Sequence, residues 1–519
     1  MKHQKIYSIL FISSLMLFLI SFLIQSPLLL TYADQYGILL KMNWIYWLGF
    51  ILLLVLICFQ FSNFNCIDKR YVYLTLFLLI TYLIATPFLY ETLPRFEDTW
   101  GHSFLAQEIF ADKKVEHGLN VYEQYPGSLL FFGSLFQLIP SYYVMKFLPP
   151  IFYIFGILII YSLFKRILNE KTAFLIAILY MFFNWTVEDN HLSPQFLILN
   201  LYFLFIFIMV KLIDEKNDRK KYFLTLAFLG TIIVFSHPLT PIFLLFIMGS
   251  VFLLCRDYRR KMLPLIGILL IIFVTYETSR TTIFESIIQY SKNFIEVLTH
   301  GLNLQTATQR FGTTFLSREI FLDSRVGITL VSLLLGSLGV IAMCRKKFRT
   351  EAKFFVGWAF ALVPFLIFVA LGTKGEFYER FALISSLPLA VLAAYFFNDY
   401  KIKFGMILVF LLLLSPFYFI GKYGNEAFES VSIEKLKANC FSYEFDSKCI
   451  ENSKVVDSPL NYDIENLGKS YFVVSREQII YSSMLYGESV SDITDSINTI
   501  VEEYNLNRIY STGTSSVYR

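Results

Sequence analysis

The chain has 519 residues, of which 56% are hydrophobic and only 16% charged, with a mean hydropathy of +0.58. A soluble protein carries about a quarter charged residues, whereas runs of roughly 18 or more apolar residues, each able to cross a bilayer as a helix, recur here from end to end. That excludes a soluble protein, and the lack of polar–apolar alternation excludes a membrane barrel; the net charge of +4 says little by itself, and no nucleic-acid partner is expected.

Lys2 and Lys5 precede the first apolar run, which is too long for the core of a cleavable signal and lacks a small-residue cleavage site. It is read as a retained first span. The predicted spans are 6–31, 44–61, 71–90, 146–164, 172–187, 195–213, 222–236, 242–255, 262–278, 326–343, 354–371, 381–397 and 403–420, thirteen in all. The stretch YPGSLLFFGSLFQLIP, residues 125–140, is too short to cross and is fenced by prolines, so it reads as an interfacial or re-entrant segment. With the N-terminus inside, KRILNEK, KLIDEKNDRKK, RDYRRK, CRKKFRTEAK and NDYKIK fall on the cytoplasmic side, while EDNHLSP and SHPLTP, without Lys or Arg, fall outside. This is the positive-inside pattern, and a fourteenth span would break it. All histidines except His3 fall on outer segments.

The expected architecture is therefore an all-α polytopic protein of the plasma membrane, with a transmembrane domain over 1–420. Residues 91–145 form an acidic outer loop with interfacial helices, and 279–325 form a second outer loop. Residues 421–519 form a small extracytoplasmic α/β appendage, with strands in SYFVVS and NRIYSTGTSSVYR and a helix in DITDSINTIVEEYN. Cys440 and Cys449 lie in this tail, in the oxidising compartment, and are expected to close a disulfide loop.

The spans are nearly free of charge, which argues against a polar path through the bilayer. Ionisable residues gather instead at the outer face. In RFEDTWGHSFLAQEIF, Glu97 and Asp98 precede His102, and Asp98 and His102 share a helix face at i, i+4. A carboxylate held against a low-dielectric surface is a better proton acceptor for a hydroxyl; the bland alternative is a solvated acidic loop. In NWTVEDNHLSPQF, Glu188, Asp189 and His191 stand at the outer end of a span, where they either bind substrate or a cation or simply cap the helix. Arg280 and Arg318 in the second outer loop, and Arg380 in GEFYERFAL, are candidates to clamp a lipid phosphate, against the alternative of snorkelling to water. His237, at the hairpin tip SHPLTP, is a candidate for the same cavity or a turn former. No GxxxxGK[ST], GxSxG, CxxC or HExxH is present, so nucleotide-hydrolase, serine-esterase and zinc-protease readings lack support.

Over roughly residues 71–260 this layout resembles the C-type (GT-C) glycosyltransferases, which include protein O-mannosyltransferases, lipid A aminoarabinose transferases and oligosaccharyltransferases. RFEDTWGHSFLAQEIF matches their acidic motif in the first large outer loop, YEQYPGSLLFFGSLFQLIP the juxtamembrane segment, and NWTVEDNHLSPQF the second acidic site. Two extra spans precede the acidic loop, and no WWDYG-type signature of oligosaccharyltransferases is present. The resemblance implies transfer of a single sugar from a polyprenyl-phosphate (dolichyl or undecaprenyl) donor to an acceptor hydroxyl of a glycan, lipid or protein. It implies inversion in one displacement, with Asp98 or Glu97 as base and Arg380 or an arginine of 279–325 stabilising the leaving phosphate. A divalent metal (Mg or Mn) would find ligands among Asp98, His102 and Asp189. The rival readings are a lipid-linked glycan flippase or transporter, a polymerase or ligase of surface glycans, and a non-catalytic membrane scaffold.

Overall fold

A computed structural model describes residues 2–25, 36–91, 93–113, 115, 124–214, 219–255, 258–279, 316–345, 357–359, 376–399, 404–424, 455–456, 471–475, 490–503, 508–511 and 515–518. The first helix, α1 (Lys2–Ile24), lies along α3 (Trp44–Ser62), with the short α2 (Ile38–Lys41) between them. Asn43 starts α3 by accepting the Tyr46 N–H at 3.0 Å, a side-chain cap of the orphan donors at a helix start. The two helices touch at Gly49, where an added Cβ would lie 2.1 Å from the Tyr82 hydroxyl; Ser14 Oγ donates to Gly49 O at 2.8 Å. The third span (Arg70–Tyr90) is built from α4 (Arg70–Ile80), a π-helical turn at Thr81–Ala85, and α5 (Thr86–Tyr90). Pro87 cannot donate to Leu83 O, four residues earlier. Tyr423, far away in sequence, supplies the missing donor: its hydroxyl lies 2.6 Å from Leu83 O.

Beyond α5 comes α6 (Glu97–Asp112), followed by α7 (Gly127–Phe136). At ten residues α7 is about 15 Å long, half the hydrocarbon thickness. It packs on α6 through Gly133, whose missing side chain makes room for the Phe110 ring, and through Ala106, Ile109, Leu129 and Phe132. This layer rests on the bundle by stacking Phe132 on Phe196, with centroids 5.8 Å apart.

The bundle continues with α8 (Ser141–Ile167), α9 (Glu170–Phe183), α10 (Pro194–Asp214), α11 (Arg219–Ser236), α12 (Thr240–Leu254) and α13 (Arg259–Thr278). After these come α14 (Leu316–Arg345), α15 (Glu376–Asp399) and α16 (Phe404–Tyr423), with α14 lying along α15. Nine described helices or helix pairs are long and apolar enough to cross a membrane; α12 is apolar but shorter. The chain is a multi-pass membrane protein. Of the predicted span 354–371 only 357–359 is described, as helix, with Trp358 donating to the Tyr202 hydroxyl at 2.9 Å.

The two ends of the bundle differ in charge. At one end Lys69 and Lys165 both meet Glu170, at 2.7 and 2.6 Å, and Lys171 lies 4.3 Å from the centre of the Phe61 ring. The opposite end carries the acidic segments. In the tail, β1 (Val455–Val456), β2 (Tyr471–Ser475), α17 (Val490–Glu503), β3 (Arg508–Ser511) and β4 (Ser515–Tyr518) include a sheet of order β1-β2-β4-β3. The β1–β2 pair is parallel and the others are antiparallel. Cys440, Cys449 and Arg280 lie outside the described residues.

Candidate functional site at the acidic end of the bundle

The chain leaves α5 through a sharp turn at Phe96, which has φ 72°, a region where a bulky L residue costs about 1–3 kcal/mol. The surroundings hold it there. Its ring is buried 5.1 Å from that of His191, and the Arg95 guanidinium lies 5.8 Å from its centre. Arg95, fully buried, pairs with Glu91 at 3.3 Å and reaches Tyr423 O at 3.4 Å. This turn sets the rotation of α6. Asp98 is exposed, while His102, one turn on, is buried. Burial, aided by His191 and opposed by Asp98, pushes the His102 imidazole down to about 4. Glu97 opens α6, and its side chain lies outside the described residues.

The second acidic segment is the loop between α9 and α10. Its backbone is held by its own side chains: His191 Nδ1–H donates to Val187 O at 2.9 Å, and Ser193 Oγ donates to Glu188 O while accepting the Phe196 N–H. In the neutral ring this leaves His191 Nε2 an acceptor, and it has no hydrogen-bond partner among the described residues. Glu188 is half-buried. Burial raises its carboxyl above the usual range, His191 and Arg380 pull it back, and Glu379 and Asp98 add to the rise. Asp189 is fully turned inward: one oxygen takes Lys422 Nζ at 2.9 Å and the other the Asn184 amide.

His237 sits in the turn between α11 and α12. Its Nδ1 is 3.2 Å from the Thr240 N–H, 3.3 Å from the Leu239 N–H and 3.0 Å from the Thr240 hydroxyl. Backbone donors on Nδ1 place the ring proton on Nε2, so His237 presents a neutral donor. Burial first, then Arg380, pushes it down to about 3. Arg380, half-buried in the first turns of α15, thus bears on both His237 and Glu188. Neighbouring Glu379 pairs with Arg325, whose guanidinium lies over Trp185 at 4.7 Å and donates to Gly421 O at 2.8 Å.

The structure therefore gathers Asp98, His102, Glu188, His191, His237 and Arg380 into one electrostatic neighbourhood. Asp189 stands behind it, and Arg318 falls on α14 with its side chain outside the described residues. Sequence reasoning missed Lys422, Arg95 and Glu91; the signal was a lone lysine closing an otherwise apolar run at 404–423. Among the described residues no three His, Cys, Asp or Glu side chains form a set that fits a metal ion, and Asp189 is already neutralised by Lys422. The described residues do not fit the divalent metal that the resemblance implies.

No protein-family profile matches the chain, and a search of curated proteins gives no match. Solved structures do resemble it. The oligosaccharyltransferase of Archaeoglobus fulgidus, tethered to an acceptor peptide containing an NVT sequon, aligns with a TM-score of 0.51 at 12% identity, over 81% of this chain and 71% of that one. ArnT from Cupriavidus metallidurans, in the apo state, aligns at 0.51 and 11% identity, over 87% and 96%. The archaeal oligosaccharyltransferase AglB of Archaeoglobus fulgidus, in complex with an inhibitory peptide and a dolichol-phosphate, aligns at 0.50 and 11%, over 82% and 72%. The fold of this chain is the one shared by these oligosaccharyltransferase and ArnT structures.

Proposed function

We propose that the protein transfers a sugar from a polyprenyl-phosphate donor to an acceptor hydroxyl at the outer face of the membrane. The observation that carries this reading is that Glu188 lies within electrostatic reach of both the exposed Asp98 carboxylate and Arg380, and Arg380 within reach of the N–H-donating His237, at one end of the bundle. The dolichol-phosphate bound by the archaeal AglB supports a lipid-phosphate donor. Such a donor has its phosphate at headgroup depth, which is where helix ends carry these groups.

In this reading Asp98 accepts the proton of the acceptor hydroxyl as its oxygen bonds to the anomeric carbon. The carbon–oxygen bond to the phosphate breaks on the opposite side, and the polyprenyl phosphate leaves with the electron pair. Arg380 meets that charge as a forked donor, and His237 Nε2–H meets it as a neutral one. Glu188 and His191 Nε2, both acceptors when ionised and neutral respectively, hold hydroxyls of the sugar. The positive-inside pattern of the sequence supports an orientation with the Lys69–Glu170 end in the cytoplasm and this site outside.

Kinetics with a labelled sugar on polyprenyl phosphate test the donor site. Arg380→Ala is expected to raise KM for the donor by about tenfold or more, and Arg380→Lys to recover part of it, because a lysine keeps the charge and loses the fork. An unchanged donor KM in both would remove Arg380 from the site.

A further inference from the structure

The clasp between Asp189 and Lys422 is used by none of the steps above. Lys422 Nζ lies 2.9 Å from Asp189 Oδ1, 2.7 Å from Thr186 O and 3.3 Å from Asn184 O, and the two side chains are 0% and 3% exposed. Asn184 is fixed in turn, its Oδ1 accepting the Thr186 hydroxyl at 2.8 Å. One carboxylate and two main-chain carbonyls around a buried ammonium make an oxygen cage of the kind a hard cation takes. The next residue of α16 repeats the grip: the Tyr423 hydroxyl accepts the Asn190 amide at 2.9 Å. The last turn of α16 thus holds positions 189 and 190 from behind. The flanking residues, Glu188 and His191, are left within electrostatic reach of Arg380 and His102.

We propose that Lys422 is a tethered cation that fixes the 184–193 loop, so that Asp189 is a positioning residue and Glu188 is the acid of this loop that meets substrate. The activity arm of this proposal rests on the glycosyl-transfer reading; the stability arm does not. A buried pair that loses one partner strands a charge, whereas loss of both partners is close to neutral. The test is a cycle of wild type, Lys422→Met, Asp189→Asn and the double variant, followed by thermal unfolding and transfer. Each single variant is expected to lower the unfolding midpoint by about 5 °C or more and transfer by about tenfold or more, and the double to regain most of both. Lys422→Arg should stand above Lys422→Met. The acid limb of the pH–rate profile, to which the Asp98 base and Glu188 both contribute, should move in the single variants and return in the double.

A double variant that unfolds like wild type yet transfers no better than Asp189→Asn would show that the Asp189 charge serves the substrate, and would overturn the proposal. If the double variant does not fold, wild type decides. A manganese-induced rise in its unfolding midpoint that vanishes in Asp189→Asn means that the cage takes a metal, and the proposal fails. No such rise, with transfer undiminished by EDTA, supports it. No transfer by wild type from polyprenyl-phosphate donors would sink the glycosyl-transfer reading while leaving the thermal cycle to judge the clasp.

Discussion

His102 and His237 are kept neutral by burial, and this has a measurable consequence for pH. Their imidazoles are pushed from an ordinary 6.5 to about 4 and about 3, so an unfolded chain takes up protons in acid that the folded one refuses. Their contribution to stability is complete above the unfolded value and is lost as pH falls from about 6.5 towards the folded values. The raised Glu188 acts in the opposite sense, because its folded form binds a proton more readily than its unfolded form. Unfolding midpoints in detergent should fall between about pH 7 and about pH 4.5, and His237→Gln should flatten that fall. A slope unchanged by His237→Gln would contradict the buried neutral ring. The pairing of Asp98 with His102 was only half legible in the sequence. Their i, i+4 spacing gives a shared side of a helix, but one member is exposed and the other buried because the left-handed turn at Phe96 fixes how α6 is rolled. No local signal marks a phenylalanine for φ 72°; the constraint comes from Arg95 and His191, one of them distant in sequence.

At the scale of elements, the kinked third span shows what long-range contacts add. An apolar run with Pro87 inside it reads as a span, and the proline foretells an unsatisfied carbonyl at Leu83. That the donor is Tyr423, at the end of the last span, follows only from the packed bundle. Tyr423→Phe should cost about 1–2 kcal/mol, since it leaves a buried carbonyl without a donor. Pro87→Ala restores the helical N–H to that carbonyl, so the pair should be less destabilised than the sum of the single changes. Additive midpoint shifts in a double-mutant cycle would mean that the phenol does not serve the kink. The segment 125–140 and the tail were more legible. Proline fences and length confine α7 to ten residues, and β-branched and aromatic runs mark β2, β3 and β4.

Across the whole molecule, composition and the lack of polar–apolar alternation were enough for a polytopic helical bundle, because only helices and closed barrels satisfy every backbone group in lipid. Each predicted span overlaps a described helix, at 354–371 only over 357–359, while nine of the described helices or helix pairs are long and apolar enough to cross a membrane. The candidate site was legible as residue types at one membrane face, but its internal order was not. Lys422 and Arg380 reach it from spans near the C-terminal end, joined to Asp98 and Glu188 by folding alone. Orientation is open to a direct check at Cys66, an exposed thiol beside the Asp68–Arg70 pair at the end opposite the site. In a variant keeping only that cysteine, a membrane-impermeant maleimide should label inside-out vesicles and spare intact cells. Labelling of intact cells would invert the topology.

The central claim is that Asp98 is the base of a glycosyl transfer. The most direct measurement is the transfer of labelled sugar from total polyprenyl-phosphate donors by wild type, Asp98→Asn and Glu97→Gln, each at matched membrane levels. The account predicts transfer by wild type and a loss of about 10²-fold or more in Asp98→Asn, the scale of a lost general base. Transfer by Asp98→Asn at the wild-type rate would contradict it.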